Sequence, residues 1–455
     1  MTTAAPARVS SAENLSREVQ ARLNLARRVA SVTALDRAAL ERWVIERLGS
    51  TIAHAVTDSP FYRDRVDPLC AEYAMHALPR SISALPFTTR QDLAQVSPLG
   101  MLAVPREELV RFDESSGTGD GRPIAAFFTS DDWVVNNLTV AHHLAAVADS
   151  GDVVAIAVPY ELAGVGQDLD RAFELLGCTI VPLGAASPAC SPERMVRAIQ
   201  RSAASILVCS GTRALYLGEA ARRLGLDPRA DLGIRRILMA GEGASAAKRR
   251  LLTRMWDATT YSMFGMTETN TLAMFCTEGE LHLVETRNYF EVVDPVTGAT
   301  VTDGDVGELA VTTLASRAMP LLRYRTGDRC QIESAPCPCG SVLKRLRHRG
   351  RLGDRIEVGQ RTTYQLEIED LVLGSLRQPP YYFAFTTDGA SLAIALPEVS
   401  LDDAVTTGAI RQAVEERLGV PCSLHELDVA AFEESLRTSA KPTMRNFSDL
   451  HRTDR

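Results

Sequence analysis

Short apolar runs alternate with helical stretches between residues 152 and 240, and this pattern constrains the fold more than any other feature of the chain. The apolar runs cover residues 152–158, 179–183, 205–209 and 236–240, and the helical stretches cover 169–176, 192–202 and 213–224. Strands and helices that alternate at this spacing form parallel crossover connections. The pattern therefore predicts an α/β fold with a parallel sheet, and ligands are expected at the carboxyl ends of its strands.

A loop dense in hydroxyl groups and glycines precedes this region. It contains Ser115, Ser116, Gly117, Thr118, Gly119, Gly121 and Arg122. Glycine allows backbone N–H groups to approach an anion closely, serine and threonine hydroxyls add donors, and an arginine adds a planar cation. The loop therefore suits the phosphates of a nucleotide, although a polar surface turn has the same composition.

Length and charge limit the domain organisation and the partners. A chain of 455 residues is too long for one ordinary core, so we expect a large domain and a smaller one. The net charge of −8 and the lack of a basic run interleaved with aromatic residues disfavour nucleic-acid binding. No apolar stretch approaches the roughly 20 residues of a membrane helix, and residues 1–28 lack the apolar core of a signal peptide. We therefore expect a cytoplasmic protein that binds neither nucleic acid nor membrane.

Nine cysteines in a cytoplasmic chain do not predict disulfides. Cys276, His282, Cys337 and Cys339 offer four soft ligands, which is the number in a closed tetrahedral zinc site. Buried reduced cysteines are the alternative, because only one residue separates the paired cysteines and most zinc knuckles have two or more. Cys330 is either a further participant or unrelated. We predict structural zinc, since no ligand is left over for an open catalytic position.

Seven segments occur in an order that resembles the phenylacetate-CoA ligase branch of the adenylate-forming superfamily. They are residues 59–63, 85–89, the phosphate loop, 240–243, 263–268, 294–298 and 323–328, and the likeness covers roughly residues 55 to 355. The resemblance implies a large multi-layer domain at 1–349 with mostly parallel sheets, which binds ATP and the acid. It also implies a small, mobile α+β lid domain at 350–455, and relatives in this branch often carry the cysteine and histidine zinc site.

The resemblance also assigns roles to individual residues. Phe264 is expected to stack on adenine, Asp328 to accept hydrogen bonds from the ribose hydroxyls, and Glu268 to bind Mg²⁺ as a hard oxygen ligand. Arg351 matches an arginine that contacts the nucleotide, and Lys441 matches the lysine that neutralises charge in the adenylation transition state. On sequence alone, each of these residues also suits an ordinary turn, helix end or solvated tail. The remaining residues expected at ATP are Gly241, Glu242, Gly265, Met266 and Thr267.

The acid pocket is expected around Tyr160, Glu161, Ala240, Gly241 and Gly265. The aromatic-rich segment that standard members of the branch have here is changed to residues 160–166. Glu161 either meets an amino or hydroxyl substituent of the substrate or faces solvent, and the sequence does not decide between these positions.

The implied reaction is attack of a carboxylate on the α-phosphorus of ATP, which gives an acyl-adenylate and pyrophosphate. Because the branch mostly activates aryl or arylacetic acids, we predict an aryl acid, including amino- or hydroxy-aryl acids. CoA is the default acceptor, but the poor match at residues 359–364 also fits a carrier-protein thiol or a small amine. An alternative of another class is a noncatalytic nucleotide-binding scaffold or regulator, since Arg122 replaces the usual lysine and Gly353 the usual hinge acid. Relatives are often homodimers, and the sequence supports no choice of oligomeric state.

Overall fold

The computed structural model describes residues 11–115 and 122–438. Within these ranges the helices are α1 (Ser11–Thr33), α2 (Arg37–Asp58), α3 (Pro60–Arg65), α4 (Pro68–His76), α5 (Arg90–Val96), α6 (Ser130–Leu144), α7 (Gly164–Leu175), α8 (Pro192–Ser202), α9 (Gly211–Arg223), α10 (Pro228–Asp231), α11 (Ala246–Trp256), α12 (Gln365–Ser375), α13 (Glu398–Leu401), α14 (Ala404–Leu418) and α15 (Val429–Thr438).

The strands in the same ranges form five sheets. They are β1 (Leu109–Glu114), β2 (Ala125–Thr129), β3 (Val153–Ile156), β4 (Thr179–Pro182), β5 (Ile206–Cys209), β6 (Arg236–Met239), β7 (Thr259–Ser262), β8 (Phe264–Met266), β9 (Asn270–Phe275), β10 (Leu281–Leu283), β11 (Asn288–Val293), β12 (Val306–Thr313), β13 (Tyr324–Glu333), β14 (Arg345–Arg351), β15 (Arg355–Val358), β16 (Arg361–Tyr364), β17 (Ala384–Thr387), β18 (Leu392–Leu396) and β19 (Cys422–Glu426).

The predicted alternation of strand and helix is confirmed as a parallel sheet in the order β4-β3-β5-β6-β7. Its central strand β5 is buried at every residue, because successive side chains point to opposite faces and both faces are covered. Leu207 belongs to one apolar cluster, whereas its neighbours Ile206 and Val208 belong to another. The turn after β6 begins at Ala240, so the predicted ligand turn lies at a strand carboxyl end.

The largest sheet is antiparallel, in the order β11-β12-β13-β14-β10-β9-β8. Only Met263 separates β8 from the parallel strand β7. Buried and half-buried residues alternate strictly along β13, as in a strand with one face on the core. Residues 109–351 therefore form one parallel sheet and two antiparallel sheets, the smaller made of β1 and β2, rather than mostly parallel sheets. The two larger sheets meet where β7 runs into β8.

The chain after β14 has the α+β layout that the sequence predicts. A hairpin of β15 and β16 precedes α12, and a second sheet has the order β17-β18-β19. Its apolar residues continue the cluster that lies on one face of the parallel sheet, because Ile368, Leu371 and Phe432 pack in the same core as Leu215 and Trp256. In the described ranges, each helix is too short or too polar to cross a lipid bilayer.

A buried arginine ties the N-terminal segment to the antiparallel sheet. The Arg323 guanidinium donates to both carboxylate oxygens of Glu291 at 3.1 and 3.0 Å, and to the carbonyls of Ser83 and Leu85 at 3.1 and 2.9 Å. It also lies 4.0 Å from the centroid of the Phe87 ring. The side chains of Arg323 and Glu291 are only 3% and 4% exposed, so each charge depends on the other.

We expect Arg323→Met to destabilise the protein by about 3–5 kcal/mol, because it leaves the buried carboxylate of Glu291 without a partner. Thermal unfolding followed by circular dichroism measures the change. The double variant Arg323→Met with Glu291→Gln removes the unpaired charge and should recover part of the lost stability. A double variant that unfolds at or below the midpoint of the single variant would contradict this explanation.

Candidate active site

A cleft of about 750 Å³ lies between the two larger sheets and the segment that follows β14. Leu366, Asp370 and Arg417 contribute to its wall from this C-terminal segment. The wall is rich in arginine, which suits a polyanionic ligand. The arginines are Arg90, Arg249, Arg347, Arg349, Arg351 and Arg417. Ten of the predicted site residues also line the cleft, namely Ser115, Gly241, Glu242, Phe264, Gly265, Met266, Thr267, Glu268, Asp328 and Arg351.

The structure describes both ends of the predicted phosphate loop. Ser115 Oγ accepts a hydrogen bond from the Ile124 amide at 2.8 Å, and the Ser115 amide donates to the Ile124 carbonyl at 2.9 Å. Arg122 is exposed, and its carbonyl accepts from Arg90 Nη2 at 3.0 Å. These bonds close the base of the loop. The other predicted loop residues, Ser116, Gly117, Thr118, Gly119 and Gly121, lie outside the described residues, and so does Lys441.

The turn after β6 exposes its backbone to the cleft, and the carboxylate of its glutamate points into the protein interior. Gly241 has a φ of +86°, which favours glycine. The side chain of Glu242 is 7% exposed, and its Oε1 accepts from the Thr212 amide at 2.6 Å and from Lys248 Nζ at 3.1 Å. Burial raises the pKa of Glu242, and the nearby lysine opposes that shift. The carboxylate therefore holds the turn in place from its buried side and does not present an unpaired charge to the cleft.

Asp328, Phe264 and His348 form one side of the cleft. Asp328 is 4% exposed, and its Oδ1 accepts from His348 Nε2 at 2.9 Å. The His348 and Phe264 rings lie 5.1 Å apart at 45°. Arg351 Nε lies 3.7 Å from the same Asp328 oxygen, and Arg351 Nη2 donates to the Thr326 carbonyl at 3.0 Å. A carboxylate acceptor beside an aromatic face and two cationic or polar groups has the composition expected for a nucleoside site.

Glu268 lies in the tight turn between β8 and β9, not at a helix start. It is 5% exposed, and its Oε1 accepts from the Tyr324 hydroxyl at 2.5 Å. Burial raises the pKa of Tyr324 well above its ordinary value, and the negative charge of Glu268 raises it further, so the hydroxyl stays a donor. The carboxylate keeps acceptor capacity for a cation. Gly265 permits this turn, because a Cβ there would lie 2.5 Å from the Asn270 carbonyl oxygen.

Of the described residues, those that line the cleft include neither Tyr160 nor Glu161. The Tyr160 hydroxyl donates to Asp170 at 3.1 Å on α7, and Glu161 is exposed and accepts from the Tyr160 amide at 3.1 Å. Ala240 is 4% exposed, directly before the cleft residue Gly241. The roles of these residues in an acid pocket remain predictions.

The four predicted metal ligands come together beside β9, β10 and the loop before β14. The ligand atoms of Cys276, His282, Cys337 and Cys339 all lie within 4.8 Å of one another. The sulfurs of Cys276 and Cys337 are 4.0 Å apart, and Cys339 Sγ lies 3.5 Å from His282 Nε2. Three thiols and an imidazole at these separations fit tetrahedral Zn²⁺. Cys330 instead packs in the apolar cluster with Leu309 and Leu346.

The neighbours of this group also fit a metal ion. His282 Nδ1 donates to the Leu343 carbonyl at 2.8 Å, which leaves Nε2 as the lone-pair atom that faces the sulfurs. Burial lowers the pKa of His282 and so favours the neutral imidazole that binds metals. Burial raises the pKa of the Cys276 thiol to about 11, so a cation is needed to stabilise its thiolate.

Two cleft residues, Arg90 and His348, and one residue behind the cleft wall, Lys248, were not predicted from the sequence. Arg90 lies at the base of the phosphate loop, and Lys248 lies behind Glu242. His348 stands in the basic run 344–349, and such a run is typical of a solvated face. A strand interpretation of residues 345–351 would have found it, because alternation places His348 on the same face as buried Leu346 and Gly350. No local pattern marks Lys248, since two of its three partners, Thr212 and Glu369, are distant in sequence.

The chain is similar to known proteins over most of its length. The AMP-binding enzyme family matches residues 113–315. A phenylacetate-coenzyme A ligase of Thermus thermophilus is 32% identical over 368 residues, which cover 78% of this chain and 80% of that protein. A phenylacetate-coenzyme A ligase of Pseudomonas putida is 30% identical over 342 residues, which cover 74% of this chain and 76% of that protein.

Solved structures share the fold. A 2-hydroxyisobutyryl-CoA ligase in its postadenylation state, in complex with 2-HIB-AMP, has a TM-score of 0.79 at 20% identity, and the match covers 90% of each chain. ATP-bound MatB from Rhodopseudomonas palustris has a TM-score of 0.53 at 19% identity, with 72% of this chain and 66% of that chain covered. The α/β prediction is thereby confirmed.

We expect Cys337→Ser to lose most of its bound zinc, because a serine hydroxyl is a poor replacement for a thiolate ligand. Metal content measured by mass spectrometry tests this, and the thermal midpoint should fall with it. Cys70→Ser is the control, since Cys70 is exposed and outside the ligand group. Equal zinc content in the two variants would contradict the assignment.

Proposed function

Because this chain belongs to the phenylacetate-coenzyme A ligase family, it is an ATP-dependent acid–CoA ligase, and we propose that its acid is an aryl acid. The observation that supports acid activation at this site is the cleft that gathers Phe264, Glu268, Asp328 and Arg351 from separate strands and turns. The aryl class of the acid is supported by the likeness to phenylacetate-coenzyme A ligases. Amino- and hydroxy-aryl acids fall within the proposal. The phenylacetate that names the relatives is one candidate substrate.

The reaction proceeds in two displacements. A carboxylate oxygen of the acid attacks the α-phosphorus of ATP, and the bond to the bridging oxygen of the β-phosphate breaks and releases pyrophosphate. The CoA thiol, as it loses its proton, then attacks the acyl carbon, and AMP leaves. The protein supplies no nucleophile, so its contribution is positioning and charge neutralisation.

The described residues divide this work in the proposal. Asp328 accepts from the ribose, Phe264 stacks on adenine, and the backbone of the Gly241 turn borders the nucleotide. Arg351 contacts the phosphates, which the arginine-rich wall supports. Glu268 would hold Mg²⁺, which supplies positive charge to the phosphate oxygens. Lys441, the phosphate loop and the acid-pocket residues Tyr160 and Glu161 remain part of the proposal on sequence grounds alone.

The proposal also includes a structural Zn²⁺ in the cysteine and histidine group, and division into domains at 1–349 and 350–455. Gly350 supports a hinge at this boundary, since its φ is +94°. Gly353 also suits a hinge, because open space surrounds the position of a Cβ there. Free cysteines fit a reducing cytoplasmic location. Transfer to a carrier-protein thiol or a small amine in addition to CoA, and assembly as a homodimer, belong to the proposal on sequence grounds alone.

We expect acid-dependent exchange of pyrophosphate into ATP with at least one acid from a panel of benzoic, hydroxybenzoic, aminobenzoic, phenylacetic and cinnamic acids. Addition of CoA should then yield the thioester of the same acid. Folded protein that binds ATP but exchanges pyrophosphate with no acid would favour the noncatalytic alternative. Exchange only with non-aromatic acids would overturn the substrate class while leaving the reaction intact.

We expect Glu268→Gln to lower the rate of exchange by about 100-fold, because the amide binds a hard cation poorly. The dependence of the rate on Mg²⁺ concentration should shift to higher concentrations in this variant. Glu41→Gln is the control, since Glu41 is exposed on α2 and pairs only weakly with Arg37 across one helical turn. Equal exchange rates for the two variants would contradict the role of Glu268.

A further inference from the structure

The ammonium of Lys248 is buried between two carboxylates that come from different domains. Its side chain is 1% exposed, and Nζ lies 3.1 Å from Glu242 Oε1 and 2.7 Å from Glu369 Oε2. Nζ also donates to Thr212 Oγ1 at 3.1 Å. Burial lowers the pKa of Lys248, but the two glutamates more than offset this, so its pKa lies above the ordinary value and the lysine is charged.

Each glutamate also caps the start of a helix. Glu242 accepts from the Thr212 amide at 2.6 Å in the first turn of α9, and Glu369 accepts from the Ser245 amide at 3.0 Å just before α11. The partial positive charge of two helix N-termini offsets the second negative charge of the group. Lys248 therefore stands where α9, α11 and the small domain meet.

Helix α12 attaches the small domain to the large one at this junction. Next to Glu369, Asp370 Oδ1 accepts from the Ala247 amide at 2.7 Å, so two successive carboxylates of α12 bind the first turn of α11. Glu242, on the other side of Lys248, belongs to the turn that lines the cleft. The Lys248 ammonium thus connects α12, through which the small domain is attached, to the wall of the cleft.

We infer that Lys248 is a positioning residue that sets the shape of the 241–243 turn according to how α12 of the small domain is seated. The inference rests on the proposed function, because the shape of this turn matters when a nucleotide occupies the cleft. Without the ammonium, Glu242 and Glu369 face each other as buried like charges and the turn loses its fixed backing. The nucleotide then meets a turn that is no longer held.

The experiment measures AMP affinity by calorimetry and the thermal midpoint for the same set of full-length variants. We expect Lys248→Met to bind AMP about tenfold more weakly, within the usual range of coupling between two sites, and to unfold at lower temperature. The double variant Lys248→Met with Glu369→Gln removes the repulsion between the carboxylates. Its thermal midpoint should recover while its AMP affinity stays about tenfold below that of the wild type.

A matched control lies at the other end of α9, roughly 18 Å from the junction. There Arg223 Nη1 pairs with Glu433 of the small domain at 2.6 Å. Glu433→Gln weakens the attachment of the small domain without touching the 241–243 turn, so AMP affinity should change less than about twofold. If Glu433→Gln loses as much affinity as Lys248→Met, the effect is general loosening of the small domain and the inference is overturned.

The remaining outcomes are equally decisive. Recovery of AMP affinity together with the thermal midpoint in the double variant would show a purely structural lysine and overturn the inference. If Lys248→Met fails to fold, Glu369→Gln alone is compared with Glu433→Gln by the same AMP titration: weaker AMP binding in Glu369→Gln but not in Glu433→Gln supports the inference, and equal AMP binding in the two variants overturns it. Absence of pyrophosphate exchange in the wild type would count against the proposed function, whereas the AMP series tests Lys248 independently of turnover.

Discussion

The register of β13 against β14 is the constraint on which the site depends. It places Asp328 opposite Arg351 and Cys330 opposite His348, so the Asp328 carboxylate meets the side chains of Arg351 and His348 at one end of the hairpin. The connection between the same two strands carries Cys337 and Cys339 at the other end. A shift of this register by one residue would turn every side chain to the opposite face of the sheet. The cysteine and histidine group and the cleft therefore both depend on the same strand pairing. A closed zinc site that staples this connection would hold the register.

Much of the architecture could be predicted from the sequence, because the strongest signals are local. Buried strands such as β5 are continuous apolar runs, and α8 begins at Pro192 directly after the N-cap residue Ser191, a common helix start. Phe264, Glu268 and Asp328 could be predicted to share one site because each stands in a short motif that carries the family resemblance, and all three line the cleft. The antiparallel order of the second sheet could not be predicted, since pairing partners are far apart in the chain.

The residues that the sequence did not reveal depend on tertiary contacts. His348 acquires its role only when β14 pairs with β13, and Lys248 only when α12 brings Glu369 against α11. The boundary at residue 350 stays a prediction from its glycines and from the resemblance, and composition says nothing about what the small domain packs against. In the structure its apolar residues share a core with the parallel sheet, and its carboxylates cap a helix of the large domain. The contact between the small domain and the large one is thus both apolar and electrostatic.

The most direct test is a crystal structure with a nonhydrolysable aryl acyl-adenylate analogue. The proposed site predicts that the ribose hydroxyls lie within hydrogen-bond distance of the Asp328 carboxylate and that the adenine ring packs against Phe264. The aryl group should extend past Gly241 toward the carboxyl ends of the parallel strands. An analogue bound outside the cleft, or bound with its ribose away from Asp328, would contradict the central claim that this cleft is where the acid is activated.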